Sequence, residues 1–218
     1  MGLGVNFYLV NTDKYLNELL PACRAFIEQA DRLPLKSILR EAIAIAGDSQ
    51  PNRPGFVDFP AAVYEEFEHI LDGEQYYSRN GNARRYEGEK TSDADSQFFV
   101  KSILAPTLLA LVCVESTEGL TPWQNMNRPE WMEYLYAHSQ WIEDRLTFAT
   151  EFQGEQPEIV IGEWSRFLSR DDVRVLDKEL SGMPPPPTAN VGSDYENLRA
   201  LCRVATTGEH ARILACIL

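Results

Sequence analysis

Residues 211–218 have the sequence ARILACIL, in which every side chain except Arg212 is apolar. A strand that is buried on both faces has this composition, because neither face meets water. The helix predicted before it carries a capping box, Ser193-x-x-Glu196, and is expected to end near Gly208. We therefore expect residues 211–218 to form the central strand of a small sheet.

Two other segments are expected to complete this sheet. The N-terminal segment alternates apolar with other residues, which is the period of a strand with one buried face; its apolar members are Leu3, Val5, Phe7 and Leu9. A middle segment, residues 158–164, alternates in the same way at Ile159 and Ile161. The N-terminal and C-terminal strands are therefore expected to meet in one sheet.

Helical patterns account for most of the remaining chain. Asn127 and Glu130 form a helix-start signature, and the helix that follows is predicted to run to about residue 150. Ser169 is predicted to start a shorter helix that ends before Gly182. The sequence thus predicts an α+β fold, a mainly helical single domain over residues 1–218 that packs on the three-stranded sheet.

Two stretches interrupt the helical pattern. Residues 183–192 contain four consecutive prolines and are predicted to be a proline-rich linker inside the domain. Residues 74–97 are rich in Gly, Asn, Ser and charged residues and show no periodicity, so we expect a long mobile loop.

The predicted loop 74–97 holds the one local basic cluster, and aromatic residues are interleaved with it. Arginine can bind a carboxylate or phosphate through two parallel hydrogen bonds, and tyrosine offers a face for stacking. The candidate ligand-binding residues are Arg79, Arg84, Arg85 and Tyr86. The alternative is a solvated loop whose arginines pair with the acidic residues of the same segment.

One E-x-x-H spacing, Glu66 to His69, lies on a predicted helix. Helical di-iron proteins repeat this motif on two helices, and the second copy is missing in this chain. A lone E-x-x-H on an acidic helix face is far more often solvated charge than a metal site, so we expect no metal and no other cofactor. Glu66 and His69 remain the residues to test for metal binding.

Aromatic residues are dense between Trp123 and Trp141, and they are too many for the inner face of one helix. Most of them are expected to pack in the core and some to lie at the surface, where exposed aromatic side chains often mark a contact with another protein. The candidates for such a partner surface are Trp123, Tyr136 and Trp141.

The chain carries 33 acidic and 20 basic residues, which gives a formal net charge of −13. Broad binding to nucleic acid or to an anionic membrane depends on clustered Lys and Arg, so neither is expected. A basic protein is the partner that this negative charge attracts. The four cysteines form no C-x-x-C pair and no N-x-S/T acceptor occurs, so we expect a cytoplasmic location.

No nucleophile elbow and no phosphate-binding glycine motif occurs in the sequence. The best-supported expectation is therefore a non-enzymatic, cytoplasmic protein-binding function of a regulatory, adaptor or toxin-neutralising kind. The alternative is an enzyme that binds a small ligand or a metal, with a site assembled from residues dispersed along the chain.

Overall fold

A computed structural model of the protein describes residues 5–47, 67–69, 71–72, 75–77, 83–85, 108–115, 117–126, 128–146, 154–155 and 165–217. The chain divides into two compact units. Unit 1 comprises Met1–Thr12 and Cys113–Leu218, and unit 2 comprises Asp13–Val112. The single domain over residues 1–218 stays a prediction.

The main elements of the described chain, in chain order, are β1 (Val5–Asn11), α1 (Leu20–Gln29), α2 (Leu33–Gly47), β2 (Gln75–Tyr77), β3 (Ala83–Arg85), β4 (Trp123–Asn125), α3 (Pro129–His138), α4 (Gln140–Leu146), β5 (Gly154–Glu155), β6 (Arg166–Leu168), α5 (Arg170–Gly182), α6 (Ala189–Thr207) and β7 (Ala211–Ile217). The fold is mixed α+β and mainly helical, as the sequence predicts.

The sheet of unit 1 has the strand order β4-β1-β7-β6-β5, and each neighbouring pair is antiparallel. Strand β7 lies at the centre and pairs with β1 along its full length, from Val5 opposite Ile217 to Asn11 opposite Ala211. The predicted central strand and the meeting of the two terminal strands are therefore confirmed. The predicted middle strand, residues 158–164, lies outside the described residues, and β6 is the strand beside β7.

Helices α3, α4, α5 and α6 share one hydrophobic core with the sheet of unit 1. Strands β1 and β7 contribute Phe7, Leu9, Ile213 and Ala215 to that core. The other face of the same strands carries Val10, Leu214 and Cys216, which are also fully buried. Strand β7 is thus buried on both faces, which explains why its sequence lacks alternation.

The helix predicted to run to about residue 150 is broken at Ser139, where the backbone is extended between α3 and α4. The Ser139 hydroxyl accepts a hydrogen bond from the Ile142 backbone N–H at 3.1 Å and donates to Glu179 Oε2 at 2.6 Å. Ser139 therefore caps α4, and the helix interruption is stabilised by α5. Residues 147–150 lie outside the described residues.

The predicted start of the last helix at Ser193 is wrong by one turn. Helix α6 begins at Ala189, and the Thr188 hydroxyl accepts the capping hydrogen bond from the Val191 backbone N–H at 3.3 Å. Pro187 precedes this cap, so the extended part of the predicted linker 183–192 ends at Thr188. Helix α5 does begin as predicted, because the Ser169 hydroxyl caps it at the Asp172 N–H.

Unit 2 contains α1 and α2, which pack against each other, and a separate two-stranded sheet. A π-helical turn, Tyr15–Leu19, leads into α1 and places Pro21 in its first turn. Strands β2 and β3 pair antiparallel, with Tyr76 opposite Arg84. Parts of the predicted loop 74–97 are therefore paired strands, and its other residues lie outside the described chain.

None of the helices in the described ranges is both long and apolar enough to cross a membrane.

Candidate functional site

The predicted ligand-binding residues of segment 74–97 are described only in part. Arg84 and Arg85 lie on strand β3, opposite Tyr76 and Gln75 of β2. Arg79 and Tyr86 lie outside the described residues. A ligand site at these four residues therefore stays a prediction.

Of the two metal candidates, Glu66 lies outside the described residues and His69 is exposed on a helical segment of unit 2. The neighbouring acidic side chains pair with basic residues of α2. Glu68 contacts Arg40 at 2.9 Å and Lys36 at 3.4 Å, and Asp72 contacts Lys36 at 2.7 Å. In the described part of the chain, no three His, Cys, Asp or Glu residues are close enough together to hold a metal ion.

The three aromatic residues predicted for a partner surface differ in exposure. Tyr136 on α3 is 36% exposed, and Trp123 on β4 is half-buried. Trp141 is only 6% exposed, because its ring packs in the core and its indole N–H donates to Asp172 Oδ1 at 3.3 Å. Trp141 therefore lies in the core and not on an exposed partner surface.

A cleft of about 490 Å³ opens in unit 1 between strand β4, the start of α3 and the first turns of α6. Its walls carry Trp123 and Gln124 from β4, Arg128 before α3, and Asp194 and Asn197 from α6. Asp194 and Asn197 are three residues apart on the helix, so they lie on the same face. This volume is within the range of small-molecule sites in proteins.

A chain of hydrogen bonds fixes the polar wall of the cleft. Asn197 accepts from the Thr121 backbone N–H at 2.8 Å and donates to Gln124 Oε1 at 2.9 Å and to the Trp123 carbonyl at 3.1 Å. Gln124 in turn donates to Asp194 Oδ1 at 3.0 Å. Gln124, whose own amide is held by Asn197, therefore fixes the position of the Asp194 carboxylate.

Asp194 is the one charged residue among the buried polar side chains of the described chain, with 7% of its surface exposed. Its Oδ1 atom pairs with the guanidinium of Arg128, whose side chain is 54% exposed. Its Oδ2 atom is buried and accepts no hydrogen bond from the residues that the structure describes. Burial of an acceptor without a partner costs about 1–3 kcal/mol, and more for a charged group.

A second cleft of about 340 Å³ adjoins the first and shares Arg128, Pro129 and Asp194 with it. Trp131 lines this second cleft, as Trp123 lines the first. Both indole N–H groups are buried, and neither donates to any residue within the described ranges. Asp194 Oδ2 and the two indole N–H groups are therefore unpaired among the described residues, and all three lie beneath the surface of residues that line the clefts.

Three of the four cysteines offer no activated nucleophile. All four are buried free thiols. Burial raises the pKa of Cys23 and Cys216 to about 12 each, and it also raises the pKa of Cys202. A thiolate is the reactive form of cysteine, so these three thiols are unreactive near neutral pH.

The residues of the Asp194 site were not identified from the sequence. The expected capping box at Ser193 assigned Asp194 to the first turn of a helix, where a solvated acidic residue is ordinary. With α6 starting at Ala189, Asp194 falls on the buried face beside Val191 and Leu198. A charged residue on an otherwise apolar stripe is the signal that could have identified it.

Comparison with protein-family models, curated proteins and solved structures finds no match for this chain.

Proposed function

We propose that the protein is a non-enzymatic binding protein that takes up a cationic group in the cleft beside Asp194. The observation that carries this proposal is the buried Asp194 carboxylate, whose Oδ2 atom accepts no hydrogen bond from the described chain. A buried carboxylate is stabilised by a charged donor, and a cation is the ligand that supplies one.

Two further features support a cationic ligand. The net charge of −13 produces a long-range field that attracts cations and repels anions. The cleft wall is held by hydrogen bonds among Thr121, Asn197 and Gln124, so the carboxylate is positioned before a ligand arrives. A preorganised site loses less conformational entropy on binding.

Thermal unfolding in the presence of small probes tests this function. Methylguanidinium and methylammonium are expected to raise the Tm of the wild-type protein, whereas glucose and inorganic phosphate are not. The Asp194→Asn variant should lose the response to both cations. Glu196→Gln is the matched control, because it removes one negative charge at an exposed position of α6. An equal response of wild type and Asp194→Asn would contradict the proposal.

A second candidate function is the one that the acidic composition favours, namely binding of a basic protein in a regulatory, adaptor or toxin-neutralising role. The net charge of −13 supports this second function, and Tyr136 offers an exposed aromatic side chain for the contact. Electrostatically driven association slows steeply as salt rises. A partner that co-purifies at low salt should therefore dissociate in high salt, and a salt-insensitive complex would argue against this role.

The cytoplasm is the compartment that we propose. Four buried free thiols are typical of a reducing environment, in which cysteines behave as small apolar residues.

A further inference from the structure

Arg128 lies where a cationic ligand of Asp194 would have to bind. It lines both adjoining clefts, and its guanidinium pairs with Asp194, which lines both clefts as well. We propose that Arg128 is a displaceable internal ligand, and that the natural ligand carries a guanidinium group that replaces it. This inference rests on the proposed function and specifies the ligand class and regulation of that site.

The contact between Arg128 and Asp194 engages only one of the two carboxylate oxygens. Arg128 Nη2 reaches Oδ1, while Oδ2 receives no hydrogen bond from the described residues. A guanidinium can bind both oxygens of a carboxylate through two parallel N–H groups. Oδ2 is buried in this state, so an incoming guanidinium has an advantage over the internal arginine when the departure of Arg128 opens that second oxygen to it.

The position of Arg128 in the chain makes its displacement inexpensive. It precedes α3 with an extended backbone and makes no side-chain capping bond there. Its side chain is 54% exposed, so swinging it into water exposes little buried apolar surface. The free side chain regains rotamer entropy, and the incoming guanidinium takes the place of Arg128 beside the buried carboxylate.

The groups around the ion pair suit a guanidinium that belongs to a larger molecule. Trp123 lines one cleft and Trp131 the other, and the indole N–H of each is buried without an acceptor among the described residues. A ligand whose entry opens one of these N–H groups to the cleft, and which carries an acceptor such as a carbonyl oxygen, can accept from it. An arginine within a peptide has both a guanidinium and such an acceptor, and so does a small guanidino compound that carries a carbonyl group.

The inference predicts that removing Arg128 strengthens binding. If Arg128 occupies Asp194 in about nine of ten molecules, the apparent affinity for the ligand is about tenfold below its intrinsic value. The Arg128→Ala variant should therefore bind methylguanidinium about tenfold more tightly than wild type, as measured by tryptophan fluorescence at constant ionic strength. The neutral analogue methylurea should not gain affinity.

Arg174→Ala is the matched control for the change in net charge. Arg174 is 59% exposed, a value close to the 54% of Arg128, and pairs with the exposed Asp171 on α5, so its loss removes the same positive charge without touching Asp194. Its affinity for methylguanidinium should equal that of wild type. Arg128→Gln, which keeps an amide donor beside Asp194, replaces Arg128→Ala if the latter unfolds.

The outcomes separate this inference from the proposed function. If Asp194→Asn abolishes binding but Arg128→Ala binds no better than wild type, the cation site stands and the displacement by ligand is wrong. If Arg174→Ala gains as much as Arg128→Ala, the gain is a nonspecific charge effect and the displacement is again wrong. If neither wild type nor Arg128→Ala binds any cation, both proposals fail.

A second arm identifies the source of the guanidinium. The tripeptide acetyl-Gly-Arg-Gly-amide places the same group on a peptide with nearby carbonyl acceptors. If Arg128→Ala binds the tripeptide more tightly than methylguanidinium, the result supports an arginine side chain of a protein partner as the natural ligand. Tighter binding of methylguanidinium supports a small guanidino compound.

Discussion

At the scale of single residues, burial changes the chemistry of the cysteine thiols. Burial raises the pKa of Cys216 to about 12, and the nearby Ser165 hydroxyl acts in the opposite direction. Burial alone raises the pKa of Cys23 to about 12. Each folded thiol therefore holds its proton at a pH at which the unfolded thiol, with a pKa of 9.0, has lost it.

This difference predicts that the free energy of unfolding falls as pH rises from about 9 toward 12, because the unfolded state then binds fewer protons than the native state. The loss is about 1.4 kcal/mol per pH unit for each buried thiol. Urea unfolding between pH 8 and 10.5 measures this slope. Cys216→Ala should reduce it, and an unchanged slope would show that Cys216 does not contribute.

Asp194 and its neighbours illustrate what a sequence does not reveal at this scale. Gln124 and Asn197 are separated from their partners in the network by about 70 residues of chain. No local spacing rule connects positions so far apart, and only the packing of α6 against β4 brings them together. The residues that could be selected from the sequence were those in local clusters, such as Arg84, Arg85, Glu66 and His69.

At the scale of elements, local signals predicted some boundaries and missed others. Ser169 was identified as the start of α5 because a serine hydroxyl at that position satisfies a free N–H of the first turn. The pairing of β2 with β3 was missed, although Asn80-Gly81 between them is a typical hairpin turn signal. Ser139 interrupts a continuous helical pattern through contacts with α5, which the pattern does not contain.

The true start of α6 can be tested by comparing two capping candidates. Thr188→Ala should destabilise the protein by about 1 kcal/mol, since the Val191 N–H loses its hydrogen bond. Ser193→Ala should change stability by less than about 0.5 kcal/mol, because Ser193 is an exposed residue inside the helix. Urea unfolding of both variants measures the difference. A larger loss of stability in Ser193→Ala than in Thr188→Ala would contradict the observed start and support a helix that begins at Ser193.

At the scale of the whole molecule, β7 connects the two halves of the unit 1 sheet. It pairs with β1 on one side and with β6 on the other, and it is buried on both faces. Its central place could be predicted because eight residues with only one polar side chain are typical of a strand that is buried on both faces. The place of β4 beside β1 could not, since three residues are too few to show a period.

Removal of residues 211–218 is expected to abolish the cooperative unfolding of unit 1. The truncation removes fully buried side chains from both faces of the sheet and leaves β1 and β6 without their shared neighbour. Near-ultraviolet circular dichroism of Trp123, Trp131 and Trp141 reports the loss. Arg212→Ala, which keeps the strand, is the control and should remain folded. A truncated chain with native tryptophan signals would contradict the central role of β7.

The most direct test of a cation site at Asp194 is an NMR titration of the indole N–H signals with methylguanidinium. The signals of Trp123 and Trp131 should shift in a saturable way, because both rings line the clefts beside Asp194. The signal of Trp141, whose indole donates to Asp172, should stay in place. In Asp194→Asn no signal should move. Absence of any shift at Trp123 and Trp131, or an equal shift of all three in both proteins, would contradict the site.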